Sequence, residues 1–235
     1  MNKMMKHLLL SVVLFVTSNA VFAQIIESKN LEIVLQLVQK GDLIVFDIDN
    51  TVSNPTSYVG TSPWFDKKVK KLVKNGMSYH EAATKMEMVH EFVDLEIICN
   101  SDQVIQKLQK EGFPVIALTN RSIPIAKRTI EQMKEIGLYF SKTAPIAQDL
   151  DLFCTYRALY SYGIIFSAHN DKGKILFDFL SKLEKETFDA IKRIVFIDDR
   201  LSHVKAVQAA AIENKFAFVG VHLEPPLGTN QPGSL

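Results

Sequence analysis

Leu43-Ile44-Val45-Phe46-Asp47-Ile48-Asp49-Asn50-Thr51-Val52 decides the reading of this chain. Its first four residues are an unbroken apolar run, as in a strand buried on both faces of a parallel sheet. The run leads into two carboxylates, Asp47 and Asp49, separated by one residue. Just past a strand, a single turn can aim both at one cavity. Unneutralised, they would repel and one would hold a proton. A divalent cation resolves the conflict. All-oxygen donors favour Mg²⁺, which keeps some water and takes few protein carboxylates.

The same arrangement recurs downstream. Val115–Leu118 ends at Thr119-Asn120-Arg121, and Ile194–Ile197 ends at Asp198-Asp199. Gly163–Phe166 and Phe216–Val221 read as two further strands. Helices are predicted over 101–111 with Gly112 as the stop, over 122–136 with Pro124 in the first turn and Gly137 at the end, and over 172–183 and 202–213. Residues 27–40 read as an amphipathic helix through Leu31, Val34, Leu37 and Val38, stopped by Gly41. Residues 138–161 give no clear pattern. Strands alternating with helices predict an α/β fold, a parallel five-stranded sheet with helices on both faces. Such sheets bind ligands at the carboxyl ends of their strands. Three of the five predicted strands end there in polar groups, a convergence that ordinary loops do not need.

Residues 53 to about 100 break the alternation. Pro55 and Pro63 sit in a Ser/Thr-rich loop beside Trp64-Phe65, a basic stretch follows, and Ser78-Tyr79-His80-Glu81 has capping-box spacing. No clear strand is visible, so this stretch reads as a small helical insertion.

The amino-terminal end has the three-part layout of a secretory signal. Lys3 and Lys6 precede an apolar run over 8–16, and Val21-Phe22-Ala23 suits a signal peptidase. The apolar run is short for a membrane anchor, and Thr17-Ser18-Asn19 interrupts it. Residues 1–23 are therefore expected to be removed between Ala23 and Gln24. That leaves a mature domain over 24–235 that is periplasmic or secreted, with no stable membrane association. The net charge of +1 over 235 residues gives no basic excess for nucleic acid. Cys99 and Cys154 are either an export-compatible disulfide or two separate small apolar residues.

These residues resemble the haloacid-dehalogenase (HAD) superfamily over nearly all of the mature chain. Its first motif, Asp-x-Asp-x-Thr, is matched by Asp47, Asp49 and Thr51. Its second, a Ser or Thr ending the next strand, is matched by Thr119. Its third, a Lys opening a later helix, is matched by Lys172 in Asp171-Lys172-Gly173, with Lys174 as the competing candidate. Its fourth, an acidic pair after a strand, is matched by Asp198-Asp199. The chain is most similar to an exported bacterial branch of the DUF2608 type, and it also resembles secreted acid phosphatases. The resemblance implies a Rossmann-like core with a small helical cap and hydrolysis of a small phosphorylated substrate. It implies Asp47 as nucleophile and Asp49 as general acid and base with a raised pKa, hence an acidic optimum. Mg²⁺ would be held by Asp47, Asp198, Asp199 and Asp49, the last through its main-chain carbonyl. Thr119, Asn120 and Lys172 would bind the phosphoryl group.

Blander readings stand beside these. Asp47 and Asp49 can end a strand and cap a helix, and Asp198-Asp199 can complement a helix dipole. Arg121 is more often structural than a phosphate clamp. The histidines lack zinc-ligand spacing, with His169 worth watching for its nearness to Lys172. A phosphonatase would need a desolvated insertion lysine, and a silent binding protein would have lost a motif. Because the insertion is small, the site is expected to be open, with Trp64 and Tyr58 as possible stacking groups.

Overall fold

The computed structural model describes residues 22–224. Positions 1–21 of the expected targeting segment and the turn-rich tail from Pro225 lie outside the described residues.

The chain opens with β1 (Ala23–Ser28), a 3-10 turn (Leu31–Ile33), α1 (Val34–Leu37) and β2 (Asp42–Phe46). The insertion follows: β3 (Ser53–Pro55), α2 (Ser62–Lys74), α3 (Tyr79–Glu87), a 3-10 turn (Met88–Glu91) and β4 (Leu95–Ile97). The alternation then resumes with α4 (Ser101–Lys110), β5 (Val115–Thr119) and α5 (Ala126–Glu135). Next come β6 (Leu150–Phe153), β7 (Arg157–Ser161), β8 (Ile164–Phe166), α6 (Lys172–Ser181) and α7 (Lys185–Ala190). The last elements are β9 (Arg193–Asp198), α8 (Leu201–Glu213) and β10 (Ala217–Leu223).

One sheet runs β1-β10-β9-β2-β5-β8-β7-β6. All pairings from β1 through to β8 are parallel, and β7 and β6 add an antiparallel edge. The α/β class and the five expected strands are present, as β2, β5, β8, β9 and β10. The sheet nevertheless has eight strands rather than five. Three strands escaped the sequence reading, each for a physical reason.

β1 replaces the start of the helix expected over 27–40. Ala23–Ser28 pair in parallel with Phe218–Leu223, and helix is confined to a short stretch. The open edge of β10 supplies main-chain partners that local helical periodicity cannot match, since a short helix is marginal alone. Asn30 then caps the turn by accepting from Glu32 N–H at 2.9 Å. β6 and β7 are short, and Phe153 places an apolar residue on the exposed face of β6 beside buried Leu152, which blurs the alternation in the sequence. Inside the insertion, β3 and β4 pair antiparallel, which corrects the strand-free reading. These strands have three residues each, too short to show periodicity, and Pro55 sits in one of them.

Period-two alternation builds the two cores. Along β2, Ile44 and Phe46 face a cluster with α4 residues Val104, Ile105 and Leu108. Leu43 and Val45 face the other layer, with Ile175, Leu176 and Phe179 of α6 and Val204 and Val207 of α8. Cys99 packs against the first cluster and Cys154 against the second, and both are free thiols. The disulfide alternative therefore falls, because the sheet separates the pair.

Gly173 sets how closely α6 lies on α8. A Cβ there would meet the carbonyl oxygen of Ala206 and come 2.8 Å from Ala210 Cβ. Gly173→Ala gains about 1 kcal/mol of helix propensity. It loses about 1–3 kcal/mol to overpacking against a backbone that cannot yield. The expected result is a lower thermal midpoint by circular dichroism; a midpoint at or above the wild-type value would contradict this packing.

Candidate active site

The site sits at the carboxyl ends of β2, β5 and β9. Asp47 N–H donates to Ile197 O at 2.9 Å, so the β2–β9 ladder continues to the carboxylate itself. The chain then turns sharply: Ile48 O accepts from Val52 N at 3.0 Å, and Asn50 takes a left-handed φ of 61°. Asn tolerates that conformation better than most residues. The turn brings Thr51 Oγ1 to 3.5 Å from Asp47 Oδ2, and the same oxygen accepts from Asp199 N–H at 3.1 Å. Thr51 thus ties the first acidic segment to the last.

Asp47, Asp198 and Asp199 each offer an oxygen, and these atoms lie within 4.8 Å of one another. Lys172, at the first position of α6, donates to Asp47 Oδ1 at 2.6 Å and to Asp198 Oδ2 at 2.7 Å. Its competitor Lys174 is exposed, with its N–H donating to Asp171. Burial and the neighbouring Asp198 hold the Asp47 carboxyl well above its ordinary range, against the pull of Lys172. Burial and Asp198 likewise raise Asp199 to about 6. Burial would raise Asp198 too, but Lys172 and His203 outweigh it and keep that group low. His203 Nδ1 lies 3.1 Å from both Asp198 oxygens. One buried lysine does not neutralise three carboxylates. Their all-oxygen donor set suits a hard divalent cation, so the residues fit the metal expected from the sequence.

The Asp49 side chain does not join that trio. It is held by Arg121, whose Nη2 donates to Oδ1 at 2.8 Å and whose Nε donates to Oδ2 at 3.1 Å. Burial pushes the Asp49 carboxyl up, but the Arg121 charge, His90 and the hydrogen bonds from Arg121 bring it to about 2. The raised Asp49 pKa expected from the sequence is therefore corrected: the acid is ionised across the whole physiological range. Arg121 is 3% exposed. It also donates to Thr129 Oγ1 at 3.1 Å and Gln132 Oε1 at 2.9 Å on α5. Its Nη2 lies 3.2 Å from His90 Nδ1. A guanidinium only donates, so that nitrogen is the acceptor and the ring is neutral. Burial and the Arg121 charge accordingly hold His90 down at about 3.

Thr119 is fully buried, and its Oγ1 accepts from Arg121 N–H at 3.2 Å. It does not line the cavity, whereas Asn120 does. The Asn120 amide is tied on both sides, accepting from Ser167 Oγ at 3.0 Å and lying 3.3 Å from His203 Nε2.

The insertion closes over this floor. The cavity encloses about 80 Å³, and its walls include Ser62, Phe65, Tyr79, Glu87 and His90 from the insertion. Gln132 Nε2 donates to the carbonyls of His90 at 2.8 Å and Val93 at 2.6 Å, pinning the insertion to α5. These bonds fix the insertion over one side of the site, and the cavity keeps a mouth to solvent. Phe65 and Tyr79, not Trp64 and Tyr58, are the aromatic residues on the wall. Trp64 instead lies under Lys68 Nζ, 5.6 Å from the ring centroid. Glu87, His90 and His203 were not singled out by sequence, because no local spacing marks them. Arg121 is structural, as its residue type suggests, but what it holds is the Asp49 carboxylate.

A Chlamydia pneumoniae protein, provisionally named an outer membrane protein, is 19% identical over 214 residues, covering 86% of this chain and 78% of its own length. Among solved structures, the class C acid phosphatase of Bacillus anthracis is 18% identical, with a TM-score of 0.42, covering 83% of this chain and 71% of that one. A haloacid dehalogenase-like family hydrolase of Xanthomonas campestris is 12% identical, with a TM-score of 0.44, covering 83% of this chain and 89% of that one. The model of DUF2608, described as a protein family of unknown function, matches residues 22–225, from β1 to the residue after the last described position. That match takes in every element of the sheet and all the residues of the site, and the chain belongs to the DUF2608 family.

Proposed function

We propose that this protein is an exported, Mg²⁺-dependent phosphohydrolase that cleaves phosphate monoesters through an aspartyl-phosphate on Asp47. The observation that carries the reading is the buried Asp47–Lys172–Asp198 contact at the floor of the cavity, with Asp199 beside it.

A carboxylate attacking phosphorus divides one hard displacement into two easier ones. An Asp47 oxygen bonds to phosphorus as the ester P–O bond breaks, and the leaving oxygen departs with the bonding pair and takes a proton from water to become the free alcohol. Water then attacks the aspartyl-phosphate, releasing orthophosphate and restoring Asp47. Lys172 holds Asp47 in place and offsets the charge that a phosphate brings to the carboxylates. Asp47, Asp198, Asp199 and the main-chain carbonyl of Asp49 would hold Mg²⁺, which would supply the remaining charge neutralisation at the phosphoryl group. Asn120 lies on the wall, with Thr119 behind it, held by Ser167 and His203 beside the place the phosphoryl group would take. Asp49, ionised in the Arg121 fork, is poised as the base that takes the proton from the attacking water. Giving a proton to the leaving oxygen is harder from that state, so the leaving oxygen takes its proton from water. The acidic optimum expected from Asp49 loses its physical basis.

The phosphonatase alternative gains no support, since Lys67, Lys68, Lys70 and Lys71 are all exposed. Export rests on the layout of residues 1–23. Cleavage before Gln24 would shorten β1 by only Ala23 and leave the pairs from Gln24–Val219 to Ser28–Leu223. Among the described residues no helix is long and apolar enough to cross a membrane. The name of the Chlamydia relative is in keeping with export.

The test is hydrolysis of p-nitrophenyl phosphate. EDTA is expected to abolish it and Mg²⁺ to restore it. Ca²⁺, with its larger and looser coordination shell, is expected to occupy the site without supporting turnover. Full activity in EDTA, with no metal retained by elemental analysis, would rule out this site model.

A further inference from the structure

Glu87 is the last residue of α3 and is 2% exposed. It lines the same cavity as Asp47 and Lys172. Its Oε2 accepts from Ser122 N–H at 3.1 Å and lies 3.2 Å from His169 Nε2. Its Oε1 is buried and has no hydrogen-bond partner. Leaving such an acceptor unmet costs about 1–3 kcal/mol, and more for a charged group. Burial alone raises this carboxyl, against the pull of His169, Ser122 and Arg121. The two buried cations of the site are already committed, Arg121 to Asp49 and Lys172 to Asp47 and Asp198. Native proteins rarely leave a buried polar atom unmet without a functional reason.

We propose that Glu87 determines specificity: its Oε1 accepts a hydrogen bond from a hydroxyl or ammonium on the leaving group, selecting small phosphate esters of diols, polyols or amino alcohols. The inference rests on the phosphohydrolase reading and deepens it. Phe65 and His169, stacked with centroids 6.3 Å apart and planes at 19°, give a flat apolar wall for a short carbon stem. Glu87 comes from the insertion and Asp47 from the core, so one ligand held at both ends also ties the two parts together. A carboxylate acceptor answers an ammonium by charge and a hydroxyl by hydrogen bonding, so the shared requirement is an N–H or O–H donor.

Three isosteric esters separate these cases: 2-aminoethyl phosphate, 2-hydroxyethyl phosphate and propyl phosphate, with p-nitrophenyl phosphate as the activity reference. Wild-type kcat/KM is expected to be at least ~10-fold higher for a donor-bearing ester than for propyl phosphate, about 1.4 kcal/mol of discrimination. The larger of the two ratios identifies ammonium or hydroxyl. Glu87→Gln is the diagnostic variant. Ser122 N–H still requires an acceptor, so the amide oxygen turns to it and the amide NH₂ faces the cavity. A donor then meets a donor, and the ratio is expected to fall to about twofold or less. A merely structural Glu87 would lower all three rates together and leave the ratio standing. Hydrolysis of p-nitrophenyl phosphate with equal kcat/KM for the three esters would overturn this inference and leave the phosphohydrolase reading intact. A wild-type ratio that survives in Glu87→Gln would overturn it as well. Absence of any hydrolysis by the wild type would overturn both. If Glu87→Gln does not fold, calorimetric Kd values on the Asp47→Asn protein with Mg²⁺ give the same ranking, and equal affinity for the three esters overturns the inference.

Discussion

Asp47→Asn is expected to reduce turnover at least ~1,000-fold, about 4 kcal/mol of transition-state stabilisation, while making the metal-free protein more stable at neutral pH. The rate effect follows because an amide oxygen cannot form the aspartyl-phosphate. The stability effect follows from the charge around it. Asp47 is buried beside Asp198, and these two causes raise its carboxyl well above the ordinary range, with Asp199 and Asp49 adding to them. A group whose folded pKa is raised stabilises the fold below its unfolded pKa, and that stability is lost as pH rises through the folded value. Asparagine has the size of the neutral acid and never pays the ionisation cost. The Asp47→Asn midpoint in EDTA should therefore exceed that of wild type at pH 7, and the gap should shrink as pH falls toward 4. Lys172 keeps Asp198 as its partner in the variant. Mg²⁺ should raise the wild-type midpoint more than that of the variant, because it answers the charge that the variant has removed. Thermal scans over pH with and without Mg²⁺, run beside the assay, check all three. Turnover within tenfold of wild type in a folded variant would end the covalent mechanism.

Arg121→Met should produce the next largest effects. Removing one partner of a buried ion pair destabilises by about 3–5 kcal/mol. Here the loss also strands Thr129, Gln132 and His90, each of which faces the guanidinium. Turnover should fall at least ~100-fold, because Asp49 loses the fork that aims it. The pH dependence has a definite sign. Asp49 is depressed to about 2 in the folded protein. Its contribution is present above the ordinary carboxylate value and is lost only as pH falls through about 2. The stability gap between wild type and Arg121→Met should thus be widest near neutral pH and narrow as pH falls, because Asp49 in the variant takes up its proton at a higher pH than in the wild type. The acid limb of the rate profile should move to higher pH in the variant, since burial then acts on Asp49 unopposed. Arg121→Lys keeps a charge but cannot fork, and should fall between the two. Denaturant titrations at several pH values give the measurement; a gap that stays constant from pH 8 down to pH 3 would show that Arg121 is not what holds Asp49 ionised.

The sequence by itself determined the elements whose physics is local. β2, β5, β8, β9 and β10 are continuous apolar runs, and a strand covered on both faces needs no neighbour to be recognised. Asp47, Thr51, Lys172, Asp198 and Asp199 were legible because each sits at a strand end or helix start, where topology alone brings polar groups together. Tertiary structure decided what depends on partners distant in the chain. Ala23–Ser28 became a strand only because β10 offers an open edge on the far side of the sequence. Asp49 became a clamped carboxylate, not a protonated acid, because Arg121 reaches it across 72 positions. Glu87 and His90 reached the cavity because Gln132 anchors the insertion from α5, some 40 positions away. Each of these outcomes turns on one buried hydrogen-bonding group finding another, and separation along the chain carries no signal of such a meeting. Apolar periodicity reports which face of an element is buried, but not which polar group waits there.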